Sequence, residues 1–267
     1  MHRAALAALA ATDSRFAAWD YFRFDIPPAE LAGALPQFHA AGFVGLNLTV
    51  PHKVLAFDLV DEIAAEAKAV GAVNTLHRTA HGWRGHNTDG YGLAIALLED
   101  LGFKLSGAEV ILLGAGGAAR AAAIECLRQK CAGLWIGNRT RAKLDALLAA
   151  LRPHAGDIPL HGFDPSEPPA SLPRGAVLIN ATSAGLNPSD PAPIALRRLP
   201  AGLSVFDMIY NPPVTSLLRE AAALGRRHAN GLGMLVHQGA LALRIWTGAE
   251  PDVAVMRRAA ASAPDGH

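Results

Sequence analysis

The most strongly patterned stretch is an unbroken apolar run, Val110-Ile111-Leu112-Leu113, followed by Gly114, Gly116 and Gly117 and then by small and apolar residues over Ala118–Leu127. A run without polar alternation predicts a strand buried on both faces of a parallel sheet, and its sequel predicts a glycine turn and a helix. Strand-like and helix-like segments then alternate over Gly133–Ile136, Arg141–Leu151, Ala176–Asn180, Ser204–Asp207 and Thr215–Leu224. Such alternation predicts βαβ units and an α/β fold class. The proline-rich stretch Asp164–Pro173 reads as surface loop, and helices over Met234–Thr247 and Asp252–Ala261 close the chain.

The first ninety residues are patterned differently. An Ala-rich amphipathic helix over residues 1–11 gives way to Thr12-Asp13-Ser14, and Trp19–Phe24 alternates aromatic and polar residues as a strand would. Pro27-Pro28 leads into a helix over Ala29–Ala41 capped by Gly42, and Phe43–Val50 reads as a strand. After Pro51 a helix is expected from His52 to Val70, then short strands over Gly71–Leu76 and Gly82–His86. The segment Asn87-Thr88-Asp89-Gly90 is the natural boundary, and Tyr91–Leu101 reads as a helix leading to the glycine-turn strand.

Composition narrows the field. At 267 residues the chain can build one large or two ordinary domains. Its 24 Lys and Arg nearly balance 23 Asp and Glu, so no charge excess points to nucleic acid or an anionic membrane. No apolar run approaches the ~20 residues of a membrane span. Cys126 and Cys131 form no C-x-x-C pair and read as reduced thiols of a cytoplasmic protein. The alanine block near the N-terminus reads as a helix rather than a secretory signal. His77 and His81 lack a completing ligand cluster, so no metal site is expected.

A strand, a glycine turn and a helix aim free N–H groups and a positive helix end at a phosphate. A side chain at Gly114 would obstruct the turn, and one at Gly116 would hold the backbone off a pyrophosphate. One βαβ unit later a dinucleotide fold often carries an acid for the ribose; here stand Asn138-Arg139-Thr140, with Arg141 and Lys143 close behind. Arg139 can stack on adenine and fork to a phosphate, with Thr140 and Lys143 completing the pocket, which favours NADP over NAD. Reducing a carbonyl by hydride also requires a proton donor, and Lys53, fixed behind Pro51, is the candidate. Asp89 is its natural charge partner, with Asn74 and Asn87 as neutral hydrogen-bonding groups. For each of these the bland alternative is a solvated lysine or a turn-forming acid.

Taken together, the segments resemble the shikimate dehydrogenase family over essentially the whole chain. The resemblance rests on Asn47-Leu-Thr-Val-Pro-His-Lys53, Gly71-Ala-Val-Asn-Thr75, Asn87-Thr-Asp-Gly90, Gly114-Ala-Gly-Gly-Ala118 and Asn138-Arg-Thr140. It continues through Asn180-Ala-Thr-Ser-Ala-Gly185, Asp207-Met-Ile-Tyr-Asn-Pro212, Gly231-Leu-Gly-Met-Leu-Val-His-Gln238 and Trp246-Thr-Gly248. It implies NADPH-dependent reduction of 3-dehydroshikimate to shikimate, with Lys53 and Asp89 as the catalytic pair. Thr49, Asn74, Tyr210 and Gln238 would hold the substrate. Gly114, Ala115, Gly116, Gly117 and Ala118 would carry the pyrophosphate, and Asn138, Arg139, Thr140 and Lys143 the adenosine phosphate. Thr182, Met208, Gly231 and Met234 would line the nicotinamide. The implied fold is an open α/β substrate-binding domain (residues 1–88 and 232–267), a Rossmann NADP-binding domain (89–231), and a C-terminal helix returning to the first domain. Partners would be the small-molecule substrate, with monomer or homodimer left open.

The resemblance has one departure. Family members usually begin with a strand and an S-x-S-P-x-x-H-N segment, whose serines grip the substrate carboxylate; here the chain opens Met1-His2-Arg3. Unpaired sheet edges and an incomplete carboxylate site are therefore expected. An assigned start downstream of the true one accounts for this better than a real truncation. The alternatives carried forward are a quinate/shikimate dehydrogenase using NAD and a non-catalytic cofactor-binding relative.

Overall fold

The computed structural model describes residues 1–262 and falls into two compact units. One comprises Met1–Asp89 with the described residues from Val236 onward; the other is Gly90–Leu235. Asp89 thus belongs with the first unit and residues 232–235 with the second, and residues 263–267 of the expected first domain lie outside the described chain.

The first unit begins with α1 (His2–Thr12), α2 (Leu31–Ala40), β1 (Gly45–Asn47), α3 (His52–Leu55), β2 (Glu62–Ile63), α4 (Ala65–Val70), β3 (Thr75–Arg78) and β4 (Trp83–His86). Its sheet runs β1-β3-β4-β2; β1, β3 and β4 are antiparallel neighbours and β2 lies parallel to β4. Leu76 and Trp83 join Leu31, Leu35, Ala56, Ala67 and Val73 in one core, with Leu46 packed against it. Gly45, Asn47 and Thr75 fall on the opposite face, because alternate strand residues point to opposite sides.

Several predicted elements of this unit are corrected. No continuous helix spans 52–70: α3 is a single turn, Ala56–Asp58 is a 3-10 turn, and the chain then crosses to β2. The alanine-rich window conceals a turn tied down by Asp61, whose N–H donates to Trp83 O at 3.0 Å and whose carboxylate accepts Trp83 N at 2.8 Å. Trp19–Phe24 forms no strand. Tyr21 stacks on His2 while Phe22 and Phe24 are more than half exposed, and Tyr21 O accepts from the Arg3 side chain at 2.9 Å. The strand expected over 43–50 contracts to the three residues of β1, and that over 71–76 starts only at Thr75.

The second unit contains α5 (Asp89–Leu101, shared at its first residue), β5 (Glu109–Leu113), α6 (Gly117–Arg128), β6 (Gly133–Gly137), α7 (Arg141–Ala155), β7 (Leu160–Phe163), β8 (Val177–Asn180), β9 (Ser204–Asp207), α8 (Ser216–Ala223) and β10 (His228–Ala229). Its six strands pair in parallel in the order β10-β9-β8-β5-β6-β7. Val110, Ile111, Leu112 and Leu113 are at most 1% exposed, so each contributes the full ~1.5–3 kcal/mol of a buried aliphatic side chain. Strands β7 and β10 were not predicted; both are edge strands, the second only two residues long.

Helices α9 (Leu232–Thr247) and α10 (Val253–Ala261) complete the chain. Val236, Ala240 and Leu243 of α9 and Met256 of α10 pack with Ala5 and Leu6 of α1, so the C-terminal helices close the core of the first unit. Among the described residues no helix is long and apolar enough to cross a membrane.

Candidate active site

Lys53 is held by its backbone at both ends of its peptide unit. Its N–H donates to Thr49 O at 3.3 Å and its carbonyl accepts Val73 N at 2.8 Å, which fastens the single turn of α3 to the segment before β3. The side chain then reaches Asp89, with Nζ donating to Oδ2 at 2.7 Å; the two side chains are 25% and 13% exposed. Asp89 is the first residue of α5, where the positive end of the helix favours an anion. Its other oxygen accepts Asn74 Nδ2 at 2.8 Å. Asn74, 1% exposed, is fixed in turn by Thr88, whose N–H donates to its Oδ1 at 2.9 Å. Gln238 of α9 sits at the edge of this group, its Oε1 3.4 Å from both Asn74 Nδ2 and Thr88 Oγ1.

An ammonium carries three protons, and one points at Asp89, so two remain to face a substrate oxygen. A charge-assisted lysine–carboxylate pair at the edge of a unit is suited to moving one proton to or from a C–O group. Thr49 is exposed beside Lys53. Tyr210, 46% exposed, follows β9 and belongs to the second unit, whereas Thr49, Asn74 and Gln238 belong to the first. Thr75, Thr88 and Asn47, which the sequence reading gave no role, are woven into the same hydrogen-bonded group. Their signal was available in part: Thr88 lies inside the Asn87–Gly90 motif.

In the second unit, Gly114 has φ +114°, and a Cβ there would stand 3.0 Å from Ala181 O, so the turn after β5 requires glycine. A Cβ on Gly116 or Gly117 would meet nothing within 4 Å, which leaves this side of the turn open. With Gly116 as N-cap, α6 has no side-chain cap, and its first N–H groups face outward uncovered. Such a cradle fits a diphosphate. Ala115 lies between the glycines and Ala118 is in the first turn. Beyond β6, Asn138 Nδ2 donates to Thr140 O at 2.9 Å, shaping a short turn from which Arg139, Thr140 and Lys143 are exposed. Arg141 is taken by Asp145 at 2.9 Å, so it is the less available cation.

At the ends of β8 and β9 a buried carboxylate organises two loops. Asp207 Oδ1 accepts Asn180 Nδ2 at 3.0 Å and Ile209 N at 3.1 Å, while Oδ2 accepts Thr215 Oγ1 at 2.7 Å. Asn180 Oδ1 accepts Thr182 Oγ1 at 2.7 Å, so Thr182 and Met208 are both set by this cluster. Burial pushes the Asp207 carboxyl above the usual carboxylate range, against the pull of its three donors. Gly231 lies so close to Met208 O that a Cβ could not be accommodated, and Met234 follows in the first turn of α9. Among the described residues no group of three potential ligands could hold a metal ion.

The six-stranded parallel sheet with its open glycine turn, and the lysine–carboxylate pair of the other unit, define an oxidoreductase built on a dinucleotide-binding fold. The profile of the shikimate dehydrogenase substrate-binding domain matches residues 3–76, and that of the shikimate 5'-dehydrogenase C-terminal domain residues 231–261. A shikimate dehydrogenase (NADP(+)) of Geobacter metallireducens is 41% identical over 249 residues, covering 90% of this chain and 85% of that one. The chain belongs to the shikimate dehydrogenase family. Among solved structures, that of Thermus thermophilus shikimate 5-dehydrogenase with NADP(H) and shikimate superposes with a TM-score of 0.81 at 35% identity, covering 97% of this chain and 93% of the other. The 5-ketofructose reductase of Gluconobacter sp. strain CHM43 gives 0.83 at 36% identity, covering 97% and 92%.

Proposed function

We propose that the protein is an NADP-dependent shikimate dehydrogenase, reversibly reducing 3-dehydroshikimate to shikimate on the route to chorismate and the aromatic amino acids. The observation that carries this reading is the 2.7 Å contact of Lys53 Nζ with Asp89, braced by Asn74. In the reducing direction Lys53 gives a proton from Nζ to the oxygen that becomes the hydroxyl, and in the oxidising direction it takes that proton back. Asp89 holds the ammonium in place and stabilises its charge. Asn74, Thr49, Gln238 and Tyr210 bind the hydroxyls and carboxylate of the ring.

The open turn Gly114, Ala115, Gly116, Gly117, Ala118 holds the cofactor's pyrophosphate. Arg139, with Asn138, Thr140 and Lys143, takes its adenosine phosphate, and Thr182, Met208, Gly231 and Met234 line the nicotinamide. The cofactor supplies the hydride for reduction and accepts it in the reverse reaction. An exposed Arg139 where an NAD enzyme carries an acid supports NADP, against the alternative of an NAD-dependent quinate/shikimate dehydrogenase. The near-balanced charge supports a small-molecule partner rather than nucleic acid or a membrane, and the free thiols of Cys126 and Cys131 support a cytoplasmic protein.

The test is absorbance of the reduced nicotinamide during incubation with shikimate and NADP or NAD. NADP reduction with shikimate, abolished by Lys53→Ala, supports the proposal. Preference for NAD, reduction of 5-ketofructose in place of 3-dehydroshikimate, or cofactor binding without any turnover would each overturn it.

A further inference from the structure

Asp89 is the end of a longer chain of hydrogen bonds than the immediate site requires. Starting from the far side, Tyr21 Oη donates to Asn47 Oδ1 at 3.0 Å. Asn47 Nδ2 donates to Thr75 Oγ1 at 3.1 Å, and Thr75 Oγ1 donates to Asn74 Oδ1 at 3.0 Å. Asn74 Nδ2 then donates to Asp89 Oδ1 at 2.8 Å. Every donor in this series faces the same way, toward the carboxylate that holds Lys53.

We infer that Tyr21 is a positioning residue for the lysine–carboxylate pair, acting through Asn47, Thr75 and Asn74 to orient and polarise the hydrogen bond that Asn74 gives to Asp89. The inference rests on Lys53 and Asp89 being the proton-transferring pair. Its physical basis is that a primary amide has an acceptor end and a donor end, so fixing one fixes the other. The NH₂ of Asn47 is held toward Thr75 Oγ1 at 3.1 Å and the Asn74 carbonyl at 3.5 Å, which turns its oxygen to the Tyr21 hydroxyl. The Thr75 hydroxyl, receiving a bond from Asn47, is left to donate to Asn74. Without the phenol, the half-buried Asn47 oxygen loses that donor, and the amide NH₂ becomes a poorer donor to Thr75. The bond that Thr75 Oγ1 gives to Asn74 Oδ1 weakens in turn. Thr88 N–H still holds Asn74 in place, so the loss is one of polarisation and not of the whole contact.

The phenol is built to remain a donor. Its ring stacks on His2 with centroids 4.2 Å apart and an interplanar angle of 6°. Burial pushes Tyr21 up to about 12, with Arg23 pulling weakly the other way, and holds His2 down at about 4, so both are neutral at ordinary pH. The other charged neighbours include the terminal ammonium beside His2 and Arg3, which donates to Tyr21 O at 2.9 Å and pairs with Asp20. At the other end, the charged partner of Asp89 is Lys53 of α3.

The experiment is steady-state kinetics with shikimate and NADP across pH for Tyr21→Phe, Thr75→Val, Thr75→Ser and the double variant Tyr21→Phe/Thr75→Val, beside Lys53→Ala. Tyr21→Phe keeps the stacked ring and removes only the hydroxyl. Its kcat should fall about two- to threefold with KM for shikimate unchanged. Thr75→Val should show the same fall in kcat at unchanged KM, Thr75→Ser should not, and the double variant should be no worse than either single one. If Tyr21→Phe does not fold, Thr75→Val against Thr75→Ser reads the same chain from its middle. An unchanged kcat in Tyr21→Phe or Thr75→Val, a loss in Thr75→Ser equal to that in Thr75→Val, or effects that multiply in the double variant overturn the relay. Full turnover in Lys53→Ala would instead overturn the underlying assignment of the site.

Discussion

The indole of Trp246 occupies the space beside Gly45 that any larger residue would need, and from there its Nε1 donates to Leu76 O at 2.9 Å. One glycine on an edge strand thereby lets α9 dock on the sheet face that also carries Asn47 and Thr75. Gly45→Ala should expel the indole and unsatisfy the Leu76 carbonyl, lowering stability by about 1–3 kcal/mol. Urea unfolding of the variant measures this; a change below ~0.5 kcal/mol would mean the ring repacks freely.

Lys53→Ala should reduce kcat by about 10²–10⁴-fold while cofactor affinity, read by nucleotide fluorescence, stays unchanged. Lys53→Arg is the sharper test. It keeps the positive charge near Asp89 but cannot release a proton, so it should be almost as inactive as the alanine variant.

Arg139→Ala should raise KM for NADP by about 10- to 100-fold and leave KM for NAD nearly unaltered, because a forked contact to a phosphate is lost only where the phosphate exists. Parallel titrations with both nucleotides check it, and equal effects on the two would remove Arg139 from the pocket.

Stability should fall on the acid side through His2. Burial, reinforced by the neighbouring terminal ammonium, depresses its folded-state value to about 4 from an ordinary 6.5. The unfolded chain therefore takes up a proton first, and stability present above pH 6.5 is lost progressively toward pH 4, by up to about 3 kcal/mol. His2→Phe retains a ring against Tyr21 and should flatten that slope in unfolding curves collected from pH 7 to pH 4.

How far the sequence could be read depended on where its information lay. Buried parallel strands announce themselves, since Val110–Leu113 must be apolar on both faces. Edge strands do not: Leu160–Phe163 contains His161 and Gly162, and β10 is too short for any period to show. Residues 52–70 misled because alanine suits a helix wherever one occurs, while the break is made by a distant partner, Trp83. Trp19–Phe24 has a strand's alternation without a ladder, because alternation does not supply a pairing partner, and Phe22 and Phe24 stay more than half exposed. For the site, motif resemblance singled out Lys53, Asp89 and Asn74, whereas Tyr21, Asn47 and Thr75 are joined by contacts spanning 26 and 28 residues. No local pattern encodes those.

The arrangement of the second sheet separates two jobs along its width. The surface cations that would select a nucleotide follow β6, on one side of β5, while the buried Asp207 brace ties together the ends of β8 and β9 on the other. On the role proposed for those cations, retargeting the protein to an unphosphorylated nucleotide is a matter of redrawing one exposed turn. Changes there can be made, combined and reversed without touching the scaffold's internal fastening.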